Sequence, residues 1–281
     1  MGQVVFAAAM SHVLDPDYYG THCGPRGRQM VEELMRRVGV LGARMMAARP
    51  DALVVVADDH LNVFSFNAVP ALCVRIGTHV ERMEQDHAVA FDRLLDRLPR
   101  RYPLHESLAN AVLEGGLETG FDLALSWEAP LDHAFLSPVT TLVGAGDTPP
   151  LVPIFVNCFV APQPTPRRCF AFGQFLGQVV ARSPWRVAVI ATGGLSHFPE
   201  LTFERVGESD VAFDRAVLRW LAAGEYESLC ALTVGELDKA GGHELLNWMV
   251  AAGAVAPARA REVYFGELGR INLAAVDWDV T

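Results

Sequence analysis

Short runs that are apolar at almost every position and rich in β-branched residues punctuate the chain: "QVVFAAAM" from Gln3, "ALVVVA" from Ala52, "LVPIFVN" from Leu151 and "RVAVIAT" from Arg186. A strand with one solvated face alternates apolar and polar residues, so runs like these need cover on both faces. Between them lie longer segments with helical spacing: "GRQMVEELMRRVGVLGARMMAARP", ended by Pro50, then "HAVAFDRLLDRL", "HESLANAVLEGGLETG", closing on Gly120, and "RRCFAFGQFLGQVVARS". "PALCVRIG", "FDLALS" and "INLAAVDW" read as further strands, and two or three more helices are expected between Ser209 and Ala252. Apolar strands separated by helices predict an α/β fold with a central, mostly parallel sheet flanked by helices on both faces. No linker, repeat or low-complexity segment divides residues 1–281, so one domain is expected.

Composition narrows the partners. A formal charge of -10 argues against nucleic acid or an anionic membrane surface, both of which demand a basic face. Five scattered cysteines without a C-x-x-C pair fit free thiols in a reducing compartment better than a disulfide framework or a thiolate zinc site. The start "MGQVVFAAAMSH" lacks the basic region of a signal peptide, and Phe6 stands where myristoylation wants Ser or Thr. No apolar run approaches the ~18 residues of a membrane span. The expectation is a cytoplasmic protein.

The strand ends carry the chemistry. Ligands of open α/β sheets bind beyond the carboxyl ends of the strands, and four histidines fall there: His12 after "QVVFAAAMS", His60 after "LVVVADD", His133 after "FDLALSWEAPLD" and His197 after "RVAVIATGGLS". A lone histidine in such a place is usually a solvated loop residue, but chance would have spread four of them over helices as well. His22, His79, His87, His105 and His243 are scattered in that way and read as structural. A metal is the natural reason to gather neutral imidazoles in one crevice. Two histidines and one carboxylate on one face of an octahedron leave three adjacent positions open, the arrangement of non-haem Fe(II) enzymes. Glu244 in "AGGHELLNWMVAAG" is the candidate carboxylate, with complementing its helix dipole as the alternative. "HELLN" is not the zinc protease motif H-E-x-x-H, because Asn247 stands where the second histidine must be. Phosphate-binding and dinucleotide-binding glycine motifs are absent, and "GGLSHFP" is no nucleophile elbow; Gly193 and Gly194 suit close approach of backbone to a ligand.

Taken in order, "SHV", "DHLNVFSFNAVPALCVRIG", "LDHAFLSPV", "PIFVN", "RRCFAFG", "GGLSHFP" and "GGHELLNWMVAAGA" resemble the class III extradiol ring-cleavage dioxygenases. The likeness weakens between Glu81 and Gly120 and between Pro199 and Lys239. It implies a single catalytic α/β domain that binds Fe(2+) through His12, His60 and Glu244, with His133 and His197 as the acid–base pair in an order left open. It further implies a small catechol-type aromatic substrate and O2 as partners, a homo-oligomer, and in some relatives a small accessory subunit. Asp58 or Asp59 would either orient an imidazole or build a solvated turn. Arg26, Arg28 and Arg75 are candidates for a substrate carboxylate. A redox-inert metal hydrolase and a non-catalytic binding protein on the same fold are the rival readings.

Overall fold

The computed structural model describes residues 1–84, 96–144, 146–197 and 209–280. In chain order the first half contains β1 (Gln3–Met10), α1 (Pro16–Ala47), β2 (Ala52–Ala57), β3 (Leu72–Arg75), β4 (His79–Glu81), β5 (Arg101–Pro103), α2 (Glu106–Glu118), β6 (Ala124–Ser126) and α3 (His133–Val143). The second half contains β7 (Leu151–Val156), α4 (Pro166–Arg182), β8 (Arg186–Thr192), α5 (Val211–Ala223), α6 (Tyr226–Cys230), α7 (Val234–Ala240), α8 (Leu245–Val255), β9 (Ala260–Glu267) and β10 (Asn272–Trp278). Eight strands make one sheet in the order β6-β3-β7-β2-β8-β1-β10-β9, and β4 pairs with β5 separately. The centre, β7-β2-β8-β1, is parallel, as the apolar runs predicted. β10 and β9 close one side antiparallel, and β3 joins β7 antiparallel on the other.

The periodicity of two in a strand explains why these runs lack polar residues. Val54 and Val56 of β2 enter one core with Val187 and Val189 of β8, beneath α4 and α8. Leu53 and Val55 enter the other with Ala188 and Ile190, beneath α1 and α3. Each valine or leucine so buried contributes on the order of 1.5–3 kcal/mol, and a polar residue at any of these positions would meet apolar atoms on either side.

Several elements differ from the sequence reading. α1 begins eleven residues before Gly27, at Pro16, because Asp15 caps it; its carboxylate accepts from the backbone N–H of Asp17 (2.8 Å). Gly24 then interrupts helical geometry with φ 69°, and the amphipathic pattern becomes legible only after that kink. Four helices, not two or three, fall between Ser209 and the end of α8; α6 and α7 are too short to show a period. β9 was not anticipated, since its burial mixes exposed and half-buried residues. The helix expected over "HAVAFDRLLDRL" lies mostly outside the described residues.

α4 and α8 approach so closely that backbone touches backbone. A Cβ on Gly173 would collide with the carbonyl of Val250, and one on Gly253 with the carbonyl of Phe170. This contact sets the position of α8, whose N-terminus carries Glu244. Gly253→Val is expected to cost at least the ~1–3 kcal/mol of core overpacking, and the thermal midpoint should fall roughly 2–4 °C per kcal/mol. A variant that unfolds at the wild-type temperature would contradict this account of the helix pair.

Candidate metal centre

Each strand end is fixed before it presents its side chain. β1 stops at Met10, and Ser11 is pinned to β10: its N–H donates to the Ala274 carbonyl (2.9 Å) and its Oγ accepts from the Ala274 N–H (3.0 Å). His12 follows directly. β2 stops at Ala57, and the Asp59 carboxylate accepts from the N–H groups of Val63 (2.9 Å) and Phe64 (2.7 Å). The tight turn so formed holds His60 and Leu61 at φ 46° and 58°, a left-handed region that residues with a Cβ rarely adopt. Asp59 is therefore the turn builder of the "ADDH" run.

His133 is the first residue of α3, capped by Asp132. That carboxylate accepts from the Ala134 N–H (2.9 Å) through one oxygen and from Asn62 Nδ2 (2.8 Å) through the other, linking the His60 turn to the His133 helix. His197 lies five residues beyond β8, in a loop anchored when Ser196 donates from its N–H (2.9 Å) and hydroxyl (2.7 Å) to buried Asp214. Gly193 in that loop has φ 127°, and a Cβ there would lie 2.6 Å from the Glu244 Cβ. Conformation and space both demand glycine at this position. Glu244 is the residue immediately before α8, and its side chain makes no capping bond to its own helix. It turns instead into the crevice, where its Oε2 accepts from the Gly194 N–H.

All five expected residues meet. His12 Nε2 and His60 Nε2 each lie 3.6 Å from Glu244 Oε1, and His197 Nε2 lies 3.4 Å from the same oxygen. The His133 ring centre is 5.2 Å from that of His12 and 4.9 Å from that of His60, against which it stacks at 27°. Asp58 joins them: the donor atoms of His12, Asp58, His60 and Glu244 all lie within 4.8 Å of one another. His12, Asp58, His133 and Glu244 are buried, whereas the His60 and His197 side chains keep 11% and 13% of their surface exposed and mark the open side.

The crowding shows in the protonation preferences. Burial drives the His12 imidazole well below its ordinary pKa, against the pull of Glu244. For His60 burial is outweighed by Asp58, Asp132 and Glu244, and the value rises well above normal. His197 is carried up to about 9, burial losing to Glu244. Burial would raise Glu244, but the imidazoles of His197 and His12 hold it well below the usual carboxylate range. Asp58 is pushed up to about 7, burial foremost. Glu244 Oε1 has no hydrogen-bond partner although no part of the residue is exposed. A buried, unpartnered carboxylate oxygen facing imidazole nitrogens at these separations fits a divalent cation, and a set of nitrogen and oxygen donors suits iron or its first-row neighbours.

The other histidines with described positions stay apart. His22 and His79 are exposed, His105 caps α2 by accepting from the Leu108 N–H (3.2 Å), and buried His243 turns to Asp238 (2.8 Å). His87 lies outside the described residues. Of the arginines, Arg28 pairs with Asp17 (2.7 Å), Arg26 reaches the Glu267 carbonyl (3.4 Å), and buried Arg75 donates to the Ala129 carbonyl (2.9 Å). None of the three lines the narrow cleft beside His60, whose walls include Asp59, Phe64, Val69, Phe155 and Phe159. Sequence reasoning left the role of Asp58 open and missed Asp132 and Asn247. A signal existed for two of them: Asp58 ends a run with no other polar residue, and Asp132 has the N-cap residue type just before His133.

Known proteins resemble this chain over most of its length. The family described as the catalytic LigB subunit of aromatic ring-opening dioxygenase matches residues 7–276. A 2,3-dihydroxyphenylpropionate/2,3-dihydroxicinnamic acid 1,2-dioxygenase of Cupriavidus necator is 28% identical over 271 residues, covering 81% of this chain and 83% of the relative. Its namesake from Paraburkholderia xenovorans is 29% identical over 291 residues, covering 87% and 88%. The solved structure of the uncharacterized protein JW3007 of Escherichia coli K12 shares the fold with a TM-score of 0.60, at 18% identity over 97% of this chain and 98% of that one. The chain belongs to the LigB family of class III extradiol ring-opening dioxygenases.

Proposed function

We propose that this protein is a non-haem Fe(II)-dependent extradiol dioxygenase, which inserts both atoms of O2 into a catechol-type ring and opens it beside the diol. The observation that carries the reading is the convergence of His12, His60 and Glu244 from three separate elements on one buried point, within a chain of this family. In this reading residues 1–281 form one catalytic domain, and those three side chains hold the iron. Bound there, Fe(II) would supply a positive centre that lowers the phenolic pKa of the diol and electrons that let triplet O2 react with a closed-shell ring.

The remaining work falls to the imidazoles. His197 is assigned as general base: its Nδ1–H donates to the Leu195 carbonyl (2.9 Å), so Nε2, the nitrogen that faces Glu244, is the one that gains and loses a proton, and it would be free to accept one once a cation takes up the Glu244 charge that otherwise raises His197. A proton leaving the second hydroxyl has an acceptor there. His133 is assigned as the acid that protonates the departing oxygen when the O–O bond breaks. Its position at the N-terminus of α3, packed against the rings of both His12 and His60, holds it against the same face.

The Cupriavidus and Paraburkholderia relatives make a 3-substituted catechol of the dihydroxyphenylpropionate class the first substrate to test. The apolar walls of the cleft beside His60 suit an aromatic ring. A homo-oligomer belongs to this reading, favoured by Leu125 and Trp127, which stand exposed at the edge strand β6. Among the described residues no helix is long and apolar enough to cross a membrane, and a cytoplasmic location is the corresponding proposal.

Anaerobic Fe(II) loading followed by O2 uptake over a panel of catechols and aminophenols should give stoichiometric O2 consumption and a ring-opened, usually yellow, product with at least one of them. Zinc in the purified protein with no O2 uptake would favour a hydrolase, and neither metal nor turnover would favour a binding protein. His12→Ala, His60→Ala or Glu244→Ala should abolish both iron retention and turnover. His197→Ala should retain iron and lose ~10²–10⁴ in rate, the usual scale for a general acid–base group. Loss of iron from that last variant would contradict the division of roles.

A further inference from the structure

The peptide plane between Leu195 and Ser196 has both of its polar groups engaged. Its carbonyl accepts from His197 Nδ1–H (2.9 Å), and its N–H donates to Asp214 Oδ1 (2.9 Å). A peptide unit is rigid and planar, so the Asp214 carboxylate on α5 fixes the tilt of the carbonyl that in turn fixes the His197 ring. The rest of Ser196 is held as firmly. Its hydroxyl donates to Asp214 Oδ2 (2.7 Å), its carbonyl accepts from the Asn272 N–H (3.2 Å), and the Asn272 side-chain amide donates to its Oγ (3.3 Å). That amide also donates to Asp214 Oδ2 (2.5 Å), and its orientation is set because Asn272 Oδ1 accepts from the Ser209 hydroxyl (2.9 Å). Ser196, Asp214 and Asn272 expose no surface. The His197 N–H donates to the Gly241 carbonyl (2.9 Å), which ties the same loop to the turn that leads into Glu244.

A buried carboxylate is a costly anchor for a loop. Burial raises the Asp214 pKa against the donors of Asn272 and Ser196, and Asp210 adds to the rise. What the charge gives in return is stiffness: hydrogen bonds to an ionised acceptor are shorter and roughly twice as strong as neutral ones, and a chain of them polarises along its length. We propose that Asp214 is a positioning residue for His197, acting through the Leu195–Ser196 peptide plane, with Asn272 holding the carboxylate in register. The proposal rests on the reading of His197 as general base. His197 Nε2 stands 3.4 Å from Glu244 Oε1, and misplacing a reacting group by about 1 Å can cost ~10²-fold in rate. Asp214 and Asn272 act on the reaction through this one imidazole.

The test uses the full-length, Fe(II)-loaded protein with the catechol it turns over, together with nitrogen NMR of the imidazoles in the Zn(II)-loaded protein, where the His197 signals are identified by their absence from His197→Ala. Asp214→Asn sets an amide N–H group against either the Ser196 N–H or the Asn272 amide, whichever way it turns. Its kcat should fall roughly 10–100-fold with KM and iron retention unchanged, the pattern of an interaction used only in the transition state, and the His197 signals should move. Combining Asp214→Asn with Asn272→Asp restores the match of donors and acceptors with its polarity reversed, and should recover most of kcat and the wild-type His197 signals. Ser196→Ala, which removes the hydroxyl alone, should lose several-fold in kcat and serves if Asp214→Asn does not fold. Wild-type kcat in Asp214→Asn overturns the proposal. So does a loss shared by KM, iron retention and the thermal midpoint, which is what a merely structural anchor would give. If no catechol is turned over, the dioxygenase reading fails on its own. His197 signals that move in Asp214→Asn and return in the double variant then still support the positioning role, and signals that stay in place overturn it.

Discussion

Everything in this protein is arranged around a charge problem that burial creates. Four imidazoles and two carboxylates share a volume nearly closed to water, and Glu244 and Asp58 each expose an oxygen to that volume with nothing donating to it. In a low-dielectric interior such groups are tolerated only when positive charge compensates them. The opposed protonation preferences of His12 and His60, one pressed down and one drawn up, show the same strain within a few ångströms. A divalent cation would resolve it in a single step. The site is best understood as a socket whose stability and chemistry share one requirement.

The scaffold meets that requirement by rigidity. Three parallel strands, β1, β2 and β8, run side by side at the middle of the sheet, and their ends carry His12, His60 and the Gly193–His197 loop to one edge. Each end is locked by backbone-directed hydrogen bonds: Ser11 to Ala274, Asp59 to Val63 and Phe64, Ser196 to Asp214. Glu244 arrives from the other direction on α8, set in depth by glycine contacts with α4. Side chains mounted on a sheet and on a packed helix keep a fixed spacing, which a site of defined geometry requires.

The parts of this architecture that were legible in the sequence are those that repeat locally. Two-sided burial of β1, β2, β7 and β8 could be read from runs such as "ALVVVA", because a partly solvated strand cannot look like that. The strand-end positions of His12, His60 and His197 followed from those boundaries, and the family resemblance joined Glu244 and His133 to them. What stayed hidden depends on long-range packing or on features with no period. Asn247 reaches Asp58 across 189 positions of sequence and looked only like a failed zinc motif. Asp58 and Asp59 are adjacent and chemically identical, yet one faces the metal crevice and the other ties a turn. Only their partners in the fold separate them, Asn247 for Asp58 and the N–H groups of Val63 and Phe64 for Asp59. The start of α1 was masked by the kink at Gly24, and β9 by its mixed exposure at the sheet edge.

The most direct test of the central claim is the position of the metal itself. Crystals grown anaerobically with Fe(II) and measured on either side of the iron absorption edge should show one anomalous peak per chain, within bonding distance of His12 Nε2, His60 Nε2 and a Glu244 carboxylate oxygen. A peak bound elsewhere, or none in crystals of protein that retains iron in solution, would contradict the account.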